Sequence, residues 1–170
     1  MNRTKRLVYI ALLTAIAMIL SYVESLIPAF IPIPGAKIGL PNIVTLLALD
    51  TLGMPIALLI VIARVLLTGF MFGSMSAILY SLAGGILSWL VMGFLFRIKK
   101  DGLSIYFISI MGAISHNVGQ LIVAALVIQN KNLFLYYLPF LLLIAIPTGL
   151  LIGVIGKRLL RYLKKTLPST

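Results

Sequence analysis

The chain has no cysteine, and of its 170 residues only three are acidic and one is histidine. Without cysteine there is no disulfide, no thiolate metal site and no thiol redox chemistry. The acids, Glu24, Asp50 and Asp101, are too few and too far apart to form the aspartate-rich clusters that hold magnesium and a diphosphate. A lone histidine without a nearby cysteine or carboxylate on its helix face builds no usual metal site either, so neither a metal nor another cofactor is expected. A Ser115, His116 and Asp50 triad can be drawn on paper, but nothing supplies the strained turn that exposes a nucleophile. Gly156, Lys157 and Arg158 look like the end of a phosphate-binding loop, yet Leu151 stands where its first glycine belongs.

What the chain does have is apolar length. Hydrophobic residues make up 62% of it and charged residues 10%, and the mean hydropathy is +1.19. Those values lie outside the range of soluble domains and indicate an all-α integral membrane protein. The first apolar run lacks the small-residue cleavage pattern of a signal peptide and reads as the first spanning helix. No internal repeat, low-complexity tract or soluble domain interrupts the chain, so residues 1–170 are expected to form one membrane domain.

The net charge of +11 is distributed in a way that reads as topology. Three clusters hold eleven of the fourteen basic residues: Arg3, Lys5 and Arg6; Arg97, Lys99 and Lys100; and Lys157, Arg158, Arg161, Lys164 and Lys165. They flank apolar spans and are not interleaved with stacking aromatics on a polar surface, which excludes nucleic-acid binding. Basic loops stay cytoplasmic, so all three clusters should share one face, with an even number of crossings between each pair.

A helix needs about 20 apolar residues to cross the hydrocarbon core. Residues 7–23, 75–96, 103–128 and 133–155 meet that length. Residues 38–72 are divided by Gly53, Met54 and Pro55 into a short piece, 38–52, and a full-length one. Charge parity requires both pieces to cross, giving six transmembrane helices with the N- and C-termini cytoplasmic. The short piece starts among Pro32, Pro34, Gly35 and Pro41, and membrane segments broken in this way point to binding sites. Residues 24–42, with the single basic Lys37, are too apolar for a hydrated linker and are expected to form a lid over an outward pocket.

Ionisable groups at membrane depth are costly and usually mark function. Arg64 lies near the middle of the third span, placed either to pair with Glu24 or Asp50 or to meet an anionic ligand. Glu24 ends the first span, close to the lid. On the fifth span, His116 and Gln120 are four residues apart and Asn117 and Gln120 three, so the spacing directs these side chains into one volume. Helix packing is the competing role for such groups. Ala11 and Ala15, Gly69 and Gly73, and Gly149, Gly153 and Gly156 have the small-residue spacing that lets helices approach closely.

Several segments together resemble a known family. They are Pro-Ile-Pro-Gly-Ala-Lys-Ile-Gly-Leu at 32–40, Asn-Ile-Val-Thr-Leu at 42–46, Phe-Gly-Ser at 72–74, Tyr-Ser-Leu-Ala-Gly-Gly at 80–85 and His-Asn-Val-Gly-Gln at 116–120. The pattern resembles the Gx transporter family, often labelled heptaprenyl diphosphate synthase component I, over nearly the whole chain. That family is similar to the S components of energy-coupling factor transporters, six-helix subunits that capture a vitamin or related precursor beneath a lid after the first helix. The resemblance implies an S-component-like bundle in a bacterial cytoplasmic membrane, in contact with membrane lipid and not itself an enzyme. It also implies partners, a transmembrane scaffold subunit and two ATPase subunits, with Ala11 and Ala15 matching the pair that contacts the scaffold. The substrate would be a small anionic vitamin, quinone or isoprenoid precursor. Candidate substrate-binding residues are Glu24, Lys37, Asn42, Arg64, Tyr80, His116, Asn117 and Gln120. The family label supplies an alternative, a membrane accessory subunit of polyprenyl (heptaprenyl) diphosphate synthesis.

Overall fold

The computed structural model describes residues 2–26, 38–98, 103–130 and 132–166. They form six helices: α1 (Arg3–Leu26), α2 (Asn42–Leu52), α3 (Met54–Phe72), α4 (Met75–Ile98), α5 (Ile105–Ile128) and α6 (Asn132–Thr166). Five are long and apolar enough to cross a membrane. The chain is therefore a multi-pass, all-helical membrane protein, and the large apolar side chains left on its outside, Phe70, Leu126, Leu135 and Leu143 among them, suit a lipid environment.

The second helix is where the structure departs from a simple six-span reading. With 11 residues, α2 rises about 16 Å, roughly half of a 30 Å hydrocarbon core. Its beginning is set by Gly39, whose φ of +86° is left-handed, and by Pro41 immediately before it. Its end is Gly53, also left-handed at +82°, which turns the chain directly into Met54 and Pro55 of α3. All residues from Asn42 to Leu49 are buried. The helix packs against each of the other five, whereas α1 and α6 do not touch one another among the described residues. Helices α1, α3, α4, α5 and α6 thus form an open arc around α2, which fills the gap between the two ends.

Contacts fix the direction of every helix. The Tyr22 and Phe72 rings meet at 4.8 Å, so the ends of α1 and α3 lie together. Trp89 Nε1 donates to the Met54 carbonyl at 2.9 Å, which runs α4 antiparallel to α3. Lys157 sits 4.6 Å over the Tyr106 ring, joining the late part of α6 to the start of α5. Lys164 Nζ lies 3.0 Å from Asp50 Oδ2, bringing the ends of α2 and α6 to the same level. The starts of α1, α3 and α5 and the ends of α2, α4 and α6 consequently share one face. That face carries Arg3, Lys5, Arg6, Arg97 and the five basic residues of α6; Lys99 and Lys100 lie outside the described residues.

The last helix continues past 155, where the apolar run ends, to Thr166. Leu160 and Leu163 extend its apolar stripe by one helical step and pack with Ile43, Leu47 and Ile105, which holds the basic tail against the bundle. Close backbone approach is concentrated in α4, α5 and α6. A Cβ at Gly119 would stand 2.7 Å from the Ala83 carbonyl oxygen, and one at Gly149 would stand 2.6 Å from Ile110 Cα.

Gly119→Ala and Gly149→Ala should each destabilise the protein by about 1–3 kcal/mol, since backbone must move. Gly93→Ala meets only the mobile end of Met54, 2.7 Å away at Cε, and should cost clearly less. Thermal unfolding in mild detergent checks this, and an equal loss in Gly93→Ala would refute the close-approach account. For topology, an impermeant maleimide on intact cells should label Ser74→Cys and Asn130→Cys, while Lys5→Cys, Arg97→Cys and Arg161→Cys react only after permeabilisation. Labelling of both groups from one side would overturn the helix directions.

Candidate functional site

A polar layer crosses the middle of the bundle. Arg64 is ten residues, about 15 Å, along α3 from the basic face, and His116 is eleven residues, about 16 Å, along α5. Asn42 opens α2 eight residues, about 12 Å, above Asp50. Ser21, Glu24, Asn42, Arg64, Ser81, His116, Asn117 and Gln120 are all buried, at 7% exposure or less. Because α2 stops at this depth, the layer lies at the foot of the half of the membrane that α2 does not occupy.

Glu24 stands at the start of α2. Its Oε1 accepts the Gly39 N–H and, at 3.3 Å, the Leu40 N–H. These amides belong to the turn that leads into α2, where backbone donors have no helical partner. The carboxylate satisfies them and complements the positive end of the helix dipole. Asn42 lies beside this clasp: a Cβ at Gly39 would be 3.1 Å from Asn42 Nδ2. Neither amide atom of the Asn42 side chain has a hydrogen-bond partner among the described residues.

Arg64 Nη1 donates to Ser21 Oγ at 3.2 Å, and Ser21 Oγ in turn donates to the Ala17 carbonyl at 2.8 Å. Glu24, one turn beyond Ser21 on α1, acts on the guanidinium through its charge. Arg64 Nε and Nη2 have no partner among the described residues. Across the bundle, α4 presents two glycines to this layer. A Cβ at Gly85 would be 3.4 Å from Arg64 Nη2, and one at Gly84 would be 2.8 Å from Gln120 Cγ and 3.0 Å from His116 Cε1. The missing side chains let Arg64 from one side and His116 and Gln120 from the other approach the same short stretch of α4. Tyr80, one turn earlier on the Gly84 face, is buried as well.

The predicted site residues are thus divided. Arg64, His116 and Gln120 come together around the Gly84–Gly85 pair, and Asn42 lies at the start of α2 beside the Glu24 clasp. Asn117 shares their depth but turns toward α6, donating from Nδ2 to the Leu141 carbonyl at 3.3 Å. Glu24 is brought in as the clasp on α2. Asp50 is kept apart, at the basic face with Lys164. Lys37 and residues 27–37 of the expected lid lie outside the described residues. Ala11 and Ala15 are exposed on the outer side of α1 beside Leu12 and Ile16. Sequence reasoning missed Ser21 as the partner of Arg64. Its spacing of three from Glu24 was the available signal, but a serine in an apolar helix ordinarily bonds only the carbonyl four residues back.

The family model of heptaprenyl diphosphate synthase component I matches residues 13–159. The chain belongs to that family. A solved structure described as the S component of a bacterial ECF transporter aligns over 99% of this chain and 100% of its own, with a TM-score of 0.67 and 20% identity. The two proteins share a fold. Comparison with curated proteins gives no match.

Glu24→Ala should leave the Gly39 and Leu40 amides without an acceptor and cost about 1–3 kcal/mol, while Glu24→Gln should retain much of the contact. Hydrogen exchange at those two amides reports it. Unchanged protection in Glu24→Ala would remove the clasp from the account of α2.

Proposed function

We propose that this member of the heptaprenyl diphosphate synthase component I family is the substrate-binding membrane subunit of an energy-coupling factor type importer. The observation that carries the reading is a buried polar layer with a charged guanidinium at mid-depth, over a helix that stops there, on a fold shared with an S component. Polar and charged groups at that depth are the usual mark of a substrate site. The substrate is a small anion, a vitamin, quinone or isoprenoid precursor, held by Arg64 with Lys37 adding charge from the lid. His116 and Gln120 hydrogen-bond its ring or carbonyl groups, with Asn42, Tyr80 and Glu24 completing the wall and Asn117, bonded to the Leu141 carbonyl, bracing α6 behind it.

In this reading the protein resides in the bacterial cytoplasmic membrane with its basic face and both termini inward, in contact with membrane lipid. It carries out no chemistry. A transmembrane scaffold and two ATPase subunits supply the energy, and the exposed Ala11 and Ala15 give the scaffold a smooth docking stripe on α1.

The family description favours a second reading, a membrane accessory subunit of polyprenyl (heptaprenyl) diphosphate synthesis. It predicts copurification with a soluble prenyl synthase and a change in that enzyme's rate or product length in reconstituted membranes. Asp50 is already paired with Lys164, and a catalytic role for this chain is not part of either reading.

Ala11→Trp and Ala15→Trp should abolish copurification with the ATPase module and leave the fold and ligand binding intact. Normal assembly in both variants sinks the scaffold assignment, and copurification with a prenyl synthase in place of ATPases would favour the second reading.

A further inference from the structure

We propose, building on the importer reading, that the ligand is a polar two-ended molecule: a carboxylate or phosphate seated on one edge of Arg64, with a paired hydrogen-bond donor and acceptor read by Gln120. Arg64 spends Nη1 on Ser21. The atoms left over, Nε and Nη2, are the two that point in parallel from one edge of the guanidinium plane, the fork that grips two oxygens of a planar or tetrahedral oxyanion. Arg64 is 5% exposed, so water does not substitute freely for that partner.

The charge count points the same way. Glu24 is the carboxylate nearest the site, but its Oε1 is engaged by two amides at the positive end of α2. That end carries about half a positive charge of its own. Among the described residues Glu24 and Arg64 cancel and the helix end leaves the layer positive by about half a charge, which favours an anionic ligand over a neutral one.

The other end of the ligand follows from an amide. Gln120 is 2% exposed, and both its oxygen and its nitrogen lack partners among the described residues. An amide offers an acceptor and two donors. A ligand that satisfies both kinds of atom must present a donor beside an acceptor, as a primary amide, a ureide or the N–H and C=O edge of a heterocycle does. A prenyl chain offers neither, and a quinone offers acceptors alone. Gln120 and the Arg64 fork reach adjacent glycines of α4, so the two recognition elements suit a molecule whose anionic and amide-like groups are separated by a few bonds. This narrows the substrate to a water-soluble oxyanion and removes the quinone and isoprenoid options.

The test uses three probes on the protein in phosphatidylcholine nanodiscs: glutaramate, which joins a carboxylate to a primary amide; 4-phosphonobutanamide, its phosphonate counterpart; and glutaramide, which lacks the anion. Calorimetric titration should show one of the two anions binding with a Kd of about 1–10 mM, fitting for so small a ligand, and glutaramide at least about tenfold weaker. Which anion binds tells carboxylate from phosphate. Arg64→Lys keeps the charge but loses the fork, and should weaken the anion about tenfold or more. Gln120→Leu should weaken both amide-bearing anions while raising the thermal stability of the empty protein, because an unpaired buried amide is removed. Equal binding of glutaramide, no binding of either anion, or anion binding unchanged in Arg64→Lys overturns the proposal. Assembly with an ATPase module, measured on the same preparations, separates the two levels. Assembly without anion binding keeps the importer and rejects this ligand class, whereas anion binding without assembly keeps the ligand class and rejects the importer.

Discussion

One carboxylate determines where the central helix begins. Glu24, at the last turn of α1, accepts the amides of Gly39 and Leu40 and so anchors the start of α2 to the end of its predecessor. Leaving buried amides without an acceptor costs about 1–3 kcal/mol, a sizeable share of a stability margin of about 5–15 kcal/mol, so this contact is a strong constraint. It explains why α2 starts where it does, with the chain arriving in a left-handed Gly39 and a proline. Because α2 starts deep, the remaining helices enclose it on one side of the layer and extend beyond its start on the other. The position of the polar layer at mid-depth is a consequence of that one helix being short.

The layer would be unstable as a simple core. Among the described residues, a charged guanidinium with two unused nitrogens and two amides with neither atom paired is a poor substitute for leucine, and replacing such groups with apolar ones often stabilises a fold. Packing elsewhere can absorb the deficit. The apolar cluster around Leu46, Ile60, Met92 and Ile108 joins α2, α3, α4 and α5 with side chains that are fully buried. The unpaired guanidinium nitrogens and side-chain amides fall in this one layer, where a ligand can relieve them, while the unpaired groups elsewhere among the described residues include hydroxyls such as those of Ser88 and Ser109.

The number of helices, their approximate limits and the common basic face were legible in the sequence, because span length and charge position are set by the bilayer itself. Arg64, His116, Asn117 and Gln120 were legible for the same reason: a polar group in an apolar run is conspicuous. Their division was not. Helical spacing places Asn117 on the stripe of Gln120, but only packing against α6 turns it to the Leu141 carbonyl. The helical length of α2 was hidden because residues 38–41 are as apolar as the helix they precede, and hydropathy does not distinguish a turn from a helix inside a membrane. Glu24 stood out as an acid near the lid, yet its bond to backbone amides fifteen residues on has no signature in residue spacing. Gly84 and Gly85 appeared as part of a family motif, and their physical reason, room for Arg64 and Gln120, needed the third dimension.

The packing also ranks the helices by how easily each could be displaced. Helices α4, α5 and α6 meet through glycines at backbone distance, and such contacts have no intermediate setting: they are made or broken. Helix α1 has no such contact and fully buries Leu13, Ala17, Ser21 and Glu24, resting among the described helices on α3 and α2. Two of those four residues are the polar ones that reach Arg64 and the start of α2. Displacing α1 would therefore uncover the guanidinium and release the Glu24 clasp in one movement, and would also strip Tyr9, Ile10, Leu13, Ala17 and Leu20 from the main apolar cluster. The contacts that hold α1 in place are thus the ones that cover the polar layer, so the anchoring of this helix and access to the buried groups are coupled.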